Sequence, residues 1–273
     1  QKTAYEIRNC DWSSDVCSSD LDCSLYYTGI NSNIVAVSSA DYHAIALQED
    51  GRVITWGGAY GSTNNSPAGI TDLVAVSAGG EHAVGLRTNG TVIAWGNGSS
   101  GQTNVPAGLN NVVAIAAGYD YSLALREDGS VAGWGVYPEQ LKPPVSLTNV
   151  IGIAAGDFYN LALRDDGKVV AWGFSPNGQT NVPPGLAPLV AIAAGKTCNL
   201  GIKPDGSVAA WGPAFTDNLE LRVPPAGLVG VEAVAAGRRR HNLAIIGRTP
   251  IVDRKSTRLN SSHSSVSRMP SSA

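Results

Sequence analysis

Long apolar runs, closely spaced cysteines and an excess of basic charge are what this sequence lacks. Its 273 residues include no apolar stretch long enough to cross a membrane. Outside the terminal segments only Cys23 and Cys198 remain, and two distant thiols indicate neither a disulfide framework nor a zinc site. The formal net charge of −3 excludes the positive field that drives nucleic-acid binding. The cysteines do not indicate the cellular compartment. We favour an extracellular or cell-surface location over a cytoplasmic one.

What the chain does contain is the dipeptide Trp-Gly at a fixed interval. Five of the six tryptophans, Trp56, Trp95, Trp134, Trp172 and Trp211, are followed by glycine and lie 39, 39, 38 and 39 residues apart. A period in this range is typical of stacked supersecondary units that cannot bury their apolar faces alone.

Each repeat has the same internal order. An apolar run ends in Ala-Gly, a second run of the Leu-Ala-Leu type follows, and a third run closes on Trp-Gly; residues 112–135 read VVAIAAGYDYSLALREDGSVAGWG. The runs are too short for helices and rich in β-branched residues, so they predict strands. Asp-Gly or Asn-Gly stands between the second and third runs, as at Asp128-Gly129, and predicts a two-residue hairpin.

Alternating large and small apolar residues suit sheets that are covered on both faces and converge on an axis. Prolines in the linking stretches, among them Pro106 and Pro183, belong in loops or on an outer edge because they cannot donate to a ladder. A β-solenoid is the alternative, but its shorter turns do not need a tight hairpin in every unit. We therefore predict an all-β fold, a β-propeller built from ~39-residue repeats.

These motifs, together with GQTNVP at residues 101–106 and 178–183, resemble the regulator of chromosome condensation repeat family. The short period resembles that of the bacterial β-lactamase inhibitory protein of the second type. The resemblance covers Ile34 to Ile246. It implies a propeller, commonly of seven blades, whose members mostly act by presenting one face to another protein.

The number of repeats predicts an incomplete ring. The sequence has six Ala-Gly-like positions but only five Trp-Gly closures. We therefore expect five to six blades of a seven-bladed ring in residues 23–250. Residues 1–22 and 251–273 share nothing with the repeat and resemble translated sequencing-adapter sequence. A native disordered tail is the alternative for both segments.

Two motifs that mimic functional sites are explained by the repeat. Gly96 to Gly101 fits the dinucleotide pattern G-x-G-x-x-G, but no helix follows, so we interpret it as a loop between strands. His43, His82 and His241 share one repeat position, held elsewhere by Tyr121, Tyr159 and Cys198. This recurrence favours a strand-start side chain that hydrogen-bonds neighbouring backbone over a metal triad. The sequence predicts no cofactor, no metal and no catalytic residue.

Internal repetition also indicates where function lies. Where equivalent positions carry different residues in different repeats, the fold of the blade does not fix the residue type, so that position can serve function. The strongest variation of this kind follows each Ala-Gly. We call these segments the rim loops and expect them to line one rim of the ring. They mix aromatic, acidic and basic residues, the types that supply anchors and charge complementarity at protein interfaces. The predicted contact residues are Tyr42, Glu81, Tyr119, Asp120, Tyr121, Asp157, Phe158, Tyr159, Lys196, Arg238 and Arg239.

Three functions follow as hypotheses. The first is a non-enzymatic module that binds a protein through the rim loops. The second, implied by the family resemblance, is a guanine-nucleotide exchange factor for a small GTPase. The third is a structural repeat segment of a large surface protein. In none of them is a nucleic acid or a membrane span expected, and Arg238 to Arg240 are as compatible with a solvated charge run as with an acidic partner.

Overall fold

The computed structural model describes the repeat region with a few gaps. The described residues are 33–41, 43–57, 66–136, 141–213, 224–225, 227–237 and 242–246, with the backbone of 259–260 and 267–268. Tyr42, Arg238 and Arg239 of the predicted rim, and His241, lie outside the described residues.

Within the described residues, the repeats form six antiparallel sheets, which we call blades 1 to 6 in chain order. Blades 1 to 5 have three strands each and blade 6 has two. Blade 1 contains β1 (Ile34–Ser39), β2 (His43–Gln48) and β3 (Val53–Gly57); blade 2 contains β4 (Leu73–Ala78), β5 (His82–Arg87) and β6 (Val92–Gly96). Blade 3 contains β7 (Val112–Ala117), β8 (Tyr121–Arg126) and β9 (Val131–Gly135); blade 4 contains β10 (Val150–Ala155), β11 (Tyr159–Arg164) and β12 (Val169–Gly173). Blade 5 contains β13 (Ala191–Ala194), β14 (Asn199–Ile202) and β15 (Val208–Trp211), and blade 6 contains β16 (Val231–Ala236) and β17 (Asn242–Ile246).

The turn between the second and third strands differs from the prediction by one residue. In blade 3 the Arg126 N–H donates to the Ser130 carbonyl at 2.9 Å, which leaves three residues in the loop. Gly129 takes a φ of 80°, so a right-handed turn is followed by one left-handed residue. The Asp128 carboxylate accepts the Ser130 N–H at 2.9 Å and holds the turn. The same backbone closure recurs in blades 1 to 5, so the predicted position is right and the predicted two-residue length is wrong.

Consecutive blades pack so that the second strand of one contacts the first strand of the next. Between blades 3 and 4, Leu123 and Leu125 share one buried cluster with Ile153, Ala155 and Trp172. The small residues let the blades approach closely while the large ones fill the space between them, which is the alternation seen in the sequence.

The outer face of blade 6 lacks such a cover. By strand register, Leu243 and Ile245 occupy the positions of Leu123 and Leu125. Leu243 is 55 % exposed and Ile245 56 %, whereas Leu123 is 0 % and Leu125 1 % exposed. Six blades with an uncovered inter-blade face agree with the predicted incomplete propeller.

The backbone also forms two short strands near the C-terminus, β18 (Leu259–Asn260) and β19 (Ser267–Arg268), which pair with each other. They contact the first strands of blades 1 to 5. The division of the chain into a repeat region and two terminal segments stays a prediction.

A candidate protein-binding rim

The rim loops lie side by side because their backbones are hydrogen-bonded across the blades. The Gly80 N–H donates to the carbonyl of Tyr119 at 3.0 Å, and the Tyr119 N–H donates to the carbonyl of Asp157 at 3.2 Å. The loops of blades 2, 3 and 4 therefore form one continuous surface.

In blades 2 to 4 the residue after Trp-Gly joins the same surface. The Phe174 N–H donates to the Phe158 carbonyl at 2.8 Å, and the Asn97 N–H donates to the Glu81 carbonyl at 2.9 Å. Sequence reasoning missed Phe174 and Asn97 as rim residues. The signal was present, because the position after Trp-Gly differs between repeats as much as the rim loops do.

In blades 2 to 4, sterics explain why glycine follows alanine at the end of the first strand. A Cβ on Gly118 would overlap the ring of Tyr121, and a Cβ on Gly156 would overlap the ring of Tyr159. The ring that starts the second strand folds back over the glycine three residues earlier. In blades 2 to 4, Ala-Gly recurs because the strand-start side chain needs that space.

Tyr121 and Tyr159 are not rim anchors, and this part of the prediction is wrong. Each tyrosine is only 1 % exposed. The Tyr121 hydroxyl donates to the carbonyl of Tyr159 at 2.7 Å, and the Tyr159 hydroxyl lies 2.8 Å from the carbonyl oxygen of Gly195. Burial raises the pKa of the Tyr159 phenol well above its ordinary value. The other interpretation of this position, a side chain that bonds neighbouring backbone, is confirmed, and the backbone belongs to the next blade.

The two described histidines at this position are also buried between blades. His82 Nε2 lies 2.9 Å from Ser122 Oγ in the next blade. Burial lowers the pKa of His82 to about 3 and that of His43 to about 4, so both rings are neutral at neutral pH. Among the described residues, no group of three or more His, Cys, Asp or Glu side chains could hold a metal ion.

The rim carries an aromatic cluster, which we define as Tyr119, Phe158 and Phe174. The ring centroids of Tyr119 and Phe158 are 5.8 Å apart at 58°, and those of Phe158 and Phe174 are 6.5 Å apart at 79°. These tilted and edge-to-face arrangements are favourable for aromatic pairs. Tyr119 and Phe158 are half-buried and Phe174 is 50 % exposed, so the cluster is ordered by its own contacts and still reaches solvent.

The charged rim residues differ in exposure. Glu81 and Asp120 are half-buried and Lys196 is exposed. Asn97 Nδ2 donates to Glu81 Oε2 at 2.8 Å, which orients that carboxylate. Asp157 is only 6 % exposed, so its predicted role as a surface contact is wrong.

The glycine-rich segment after Trp95 is a loop, as predicted. No helix follows it before β7 at Val112. Gln102 is fully buried in this loop, and its carbonyl accepts hydrogen bonds from Trp134 Nε1 at 2.9 Å and from Ser122 Oγ at 3.1 Å. The GQTNVP motif at residues 101–106 therefore anchors the tryptophan of the next blade.

Three segments match the model of the regulator of chromosome condensation (RCC1) repeat: residues 73–102, 112–136 and 150–179. Each begins with the first strand of blade 2, 3 or 4 and extends past its Trp-Gly closure. These three segments are similar to the RCC1 repeat. The comparison with curated protein sequences gives no significant match.

Solved structures share the architecture of these repeats. The CRINKLY WD40 ectodomain of the Arabidopsis thaliana receptor kinase ACR4 has 26 % identity and a TM-score of 0.60, over 75 % of this chain and 72 % of that one. Prp20p from Saccharomyces cerevisiae has 21 % identity and a TM-score of 0.62, over 77 % of this chain and 69 % of that one. The ectodomain of the Physcomitrella patens receptor kinase CR4 has 25 % identity and a TM-score of 0.56, over 67 % of this chain and 51 % of that one.

These likenesses show the propeller fold. They do not show the narrower resemblance to the β-lactamase inhibitory protein of the second type, which stays a prediction. The part of the chain that the structure describes contains no apolar helix of membrane-spanning length.

Proposed function

We propose that this protein is a non-enzymatic binding module that captures a protein partner on the rim loops of blades 2 to 4. The observation that carries the proposal is the aromatic cluster of Tyr119, Phe158 and Phe174, held on adjacent, hydrogen-bonded loops and open to solvent. Aromatic side chains dominate the energy of protein interfaces when they sit in an ordered patch surrounded by polar groups.

The chemistry of the rim supports binding rather than catalysis. Two of the groups with the largest pKa shifts, His82 and Tyr159, are buried between blades and act on the next blade. The half-exposed groups that remain on this rim are aromatic rings, carboxylates, amides and the hydroxyls of Ser100 and Ser175. The Ser175 hydroxyl donates to the amide oxygen of Gln179, which is not a general base.

The test compares partner capture by the wild type with capture by the triple variant Tyr119→Ser, Phe158→Ser, Phe174→Ser. We expect proteins enriched from an extract of the source cells on the wild type to be lost on this variant, because truncating an interface anchor costs about tenfold or more in affinity. The control replaces exposed apolar residues outside the rim loops, Val145→Ser and Val190→Ser, and should retain capture. Equal capture by the wild type and both variants contradicts the proposal.

A guanine-nucleotide exchange factor is the second candidate. The fold likeness to Prp20p supports it, since that protein is described through its binding to Gsp1p and histones. The check is a nucleotide-release assay with a panel of small GTPases, in which acceleration by the wild type favours this candidate. Unchanged release rates across the panel remove it.

A further inference from the structure

Blade 2 forms the turn between its second and third strands with asparagine, where the other three-stranded blades use aspartate. Asn89 Oδ1 accepts the Thr91 N–H at 3.0 Å, just as Asp128 Oδ1 accepts the Ser130 N–H at 2.9 Å in blade 3. The turn therefore needs only the side-chain oxygen, which either residue type supplies. The amide nitrogen of Asn89 is a group that the fold of the blade does not require.

The same turn carries a hydroxyl two residues after the asparagine. Thr91 Oγ1 donates to Asn89 Oδ1 at 2.7 Å, so the hydroxyl and the amide are adjacent. Asn89-Gly90-Thr91 is also the acceptor pattern for N-linked glycosylation, which is Asn-x-Ser/Thr with any residue except proline at x. Among the turns of blades 1 to 5, this pattern occurs in blade 2 alone.

Asn89 is accessible for such a modification. The residue is exposed, and both of its hydrogen bonds to Thr91 use the oxygen of the amide. The nitrogen, to which a glycan is attached, takes part in neither bond. N-linked glycans are bulky and occupy surface positions. A glycan on this turn is therefore compatible with the fold of the blade.

A second acceptor pattern, Asn97-Gly98-Ser99, lies in a different environment. Asn97 is half-buried, its Nδ2 donates to Glu81 Oε2 at 2.8 Å, and its Oδ1 accepts the Ser99 N–H at 2.9 Å. Both polar atoms of this amide are thus used within the rim. A glycan on Asn97 would also stand on the surface to which the proposed function assigns the partner.

We propose that Asn89 carries an N-linked glycan and that Asn97 does not. The transfer joins Asn89 Nδ2 to the anomeric carbon of a sugar, breaks the bond from that carbon to the pyrophosphate of a lipid-linked oligosaccharide donor, and releases one amide proton. The extracellular or cell-surface location favoured from the sequence would bring the chain to such a donor.

The position of Asn89 makes this glycan compatible with partner binding. Strand β5 begins beside the rim residue Glu81 and ends at the turn, so its six residues place Asn89 roughly 20 Å from the rim. A glycan there adds a polar cover to the opposite edge and leaves the rim open. The inference goes beyond the proposed function and does not depend on the identity of the partner.

Mass spectrometry of the protein isolated from its source cells tests the inference. Chymotrypsin cleaves after Trp95 and so separates Asn89 from Asn97. Removal of the glycan by peptide-N-glycosidase in heavy-oxygen water converts a glycosylated asparagine to labelled aspartate, which distinguishes it from spontaneous deamidation at Asn-Gly. Intact glycopeptides give the mass of the attached sugars. We expect the glycan at Asn89 and an unmodified Asn97.

Variants expressed in the same cells show whether the turn is the site. Asn89→Asp and Thr91→Ala should each abolish the modification, and Asn89→Asp keeps the turn because aspartate occupies this position in the other three-stranded blades. The matched control is Ser99→Ala, which removes the second acceptor pattern and should leave the glycan in place. Thermal melts check that each variant is folded.

Three results would overturn the inference. They are an unmodified Asn89 in the wild-type protein, a glycan that persists in the variant Asn89→Asp, and modification of Asn97 to the same extent as Asn89. None of them bears on the proposed function, which is tested separately through the aromatic cluster.

Discussion

The hydroxyl of Tyr121 in blade 3 donates a hydrogen bond to the carbonyl oxygen of Tyr159 in blade 4, 2.7 Å away in a buried space. Tyr159 repeats the arrangement one blade further on, where its hydroxyl lies 2.8 Å from the carbonyl of Gly195. These side chains tie blade 3 to blade 4 and blade 4 to blade 5 beside the rim loops.

Removing one of these hydroxyls should loosen the blade pair. We expect Tyr121→Phe to lower the free energy of unfolding by about 0.5–1.5 kcal/mol, because the buried Tyr159 carbonyl then keeps only the hydrogen bond from the Gly156 N–H. Chemical denaturation measures the change. Val145→Ala, at an exposed position, is the control, and a loss of equal size there would contradict a specific role for the inter-blade bond.

The glycine before each strand-start ring should resist substitution. Gly118→Ala places a Cβ against the Tyr121 ring and should cost about 2 kcal/mol or more. Gly108→Ala meets no heavy atom within 4 Å and should cost only the roughly 1 kcal/mol of its φ of +76°.

A double-mutant cycle tests whether the ring is the cause. In a Tyr121→Ala background the ring is absent, so Gly118→Ala should add little further destabilisation. Denaturation midpoints of the four proteins give the coupling. Additive effects would show that the glycine is required for another reason.

Stability should fall as the solution becomes mildly acidic. Burial lowers the pKa of His82 from 6.5 to about 3 in the folded state, so the unfolded chain binds the proton more readily. The stability that the neutral ring contributes is complete above pH 6.5 and is lost as the pH falls from there toward about 3. Between about pH 7.5 and pH 5 this amounts to roughly 2 kcal/mol for His82.

The variant His82→Tyr separates this contribution from those of the carboxylates. Tyrosine occupies the same position in blades 3 and 4 and stays neutral over this range, so the pH dependence of unfolding should flatten. Urea midpoints at the two pH values measure it. An unchanged slope would mean that other groups cause the loss.

The uncovered face of blade 6 should make the chain associate. Leu243 and Ile245, which are more than half exposed, offer an apolar face and a strand edge to other molecules. Leu243→Ser with Ile245→Ser should reduce concentration-dependent association in light scattering and change stability little. A wild type that stays monomeric at high concentration would contradict this.

The strands and turns of this protein could be predicted because their signals are local. Asp128-Gly129 marks a turn through the left-handed φ of the glycine and the hydrogen bond of the carboxylate, both made within a few residues. The turn length was wrong by one residue, because the same dipeptide fits a two-residue loop and a three-residue loop and only the strand register distinguishes them.

The candidate rim could be predicted only in part. Variation between repeats selected Glu81, Tyr119 and Phe158, which the structure places half-buried on adjacent loops. It also selected Tyr159, which is buried, and it missed Phe174, which is exposed. The rim is built from loops of different blades, and the contacts that bring them together join residues about one repeat apart.

The sequence by itself determines that this chain folds as repeated antiparallel blades. The signals that specify a blade are the alternation of apolar residues, the turn glycines and the Trp-Gly closure, and all of them act within one repeat. Tertiary structure decided which aromatic residues are buried and which face solvent. Tyr119 and Tyr121 lie two residues apart in one loop, yet Tyr121 turns into the space above Gly118 and bonds the next blade, while Tyr119 packs against Phe158 at the surface. That difference exists only once two blades are in contact, because the hydrogen-bond acceptor and the packing partner both belong to the neighbouring repeat.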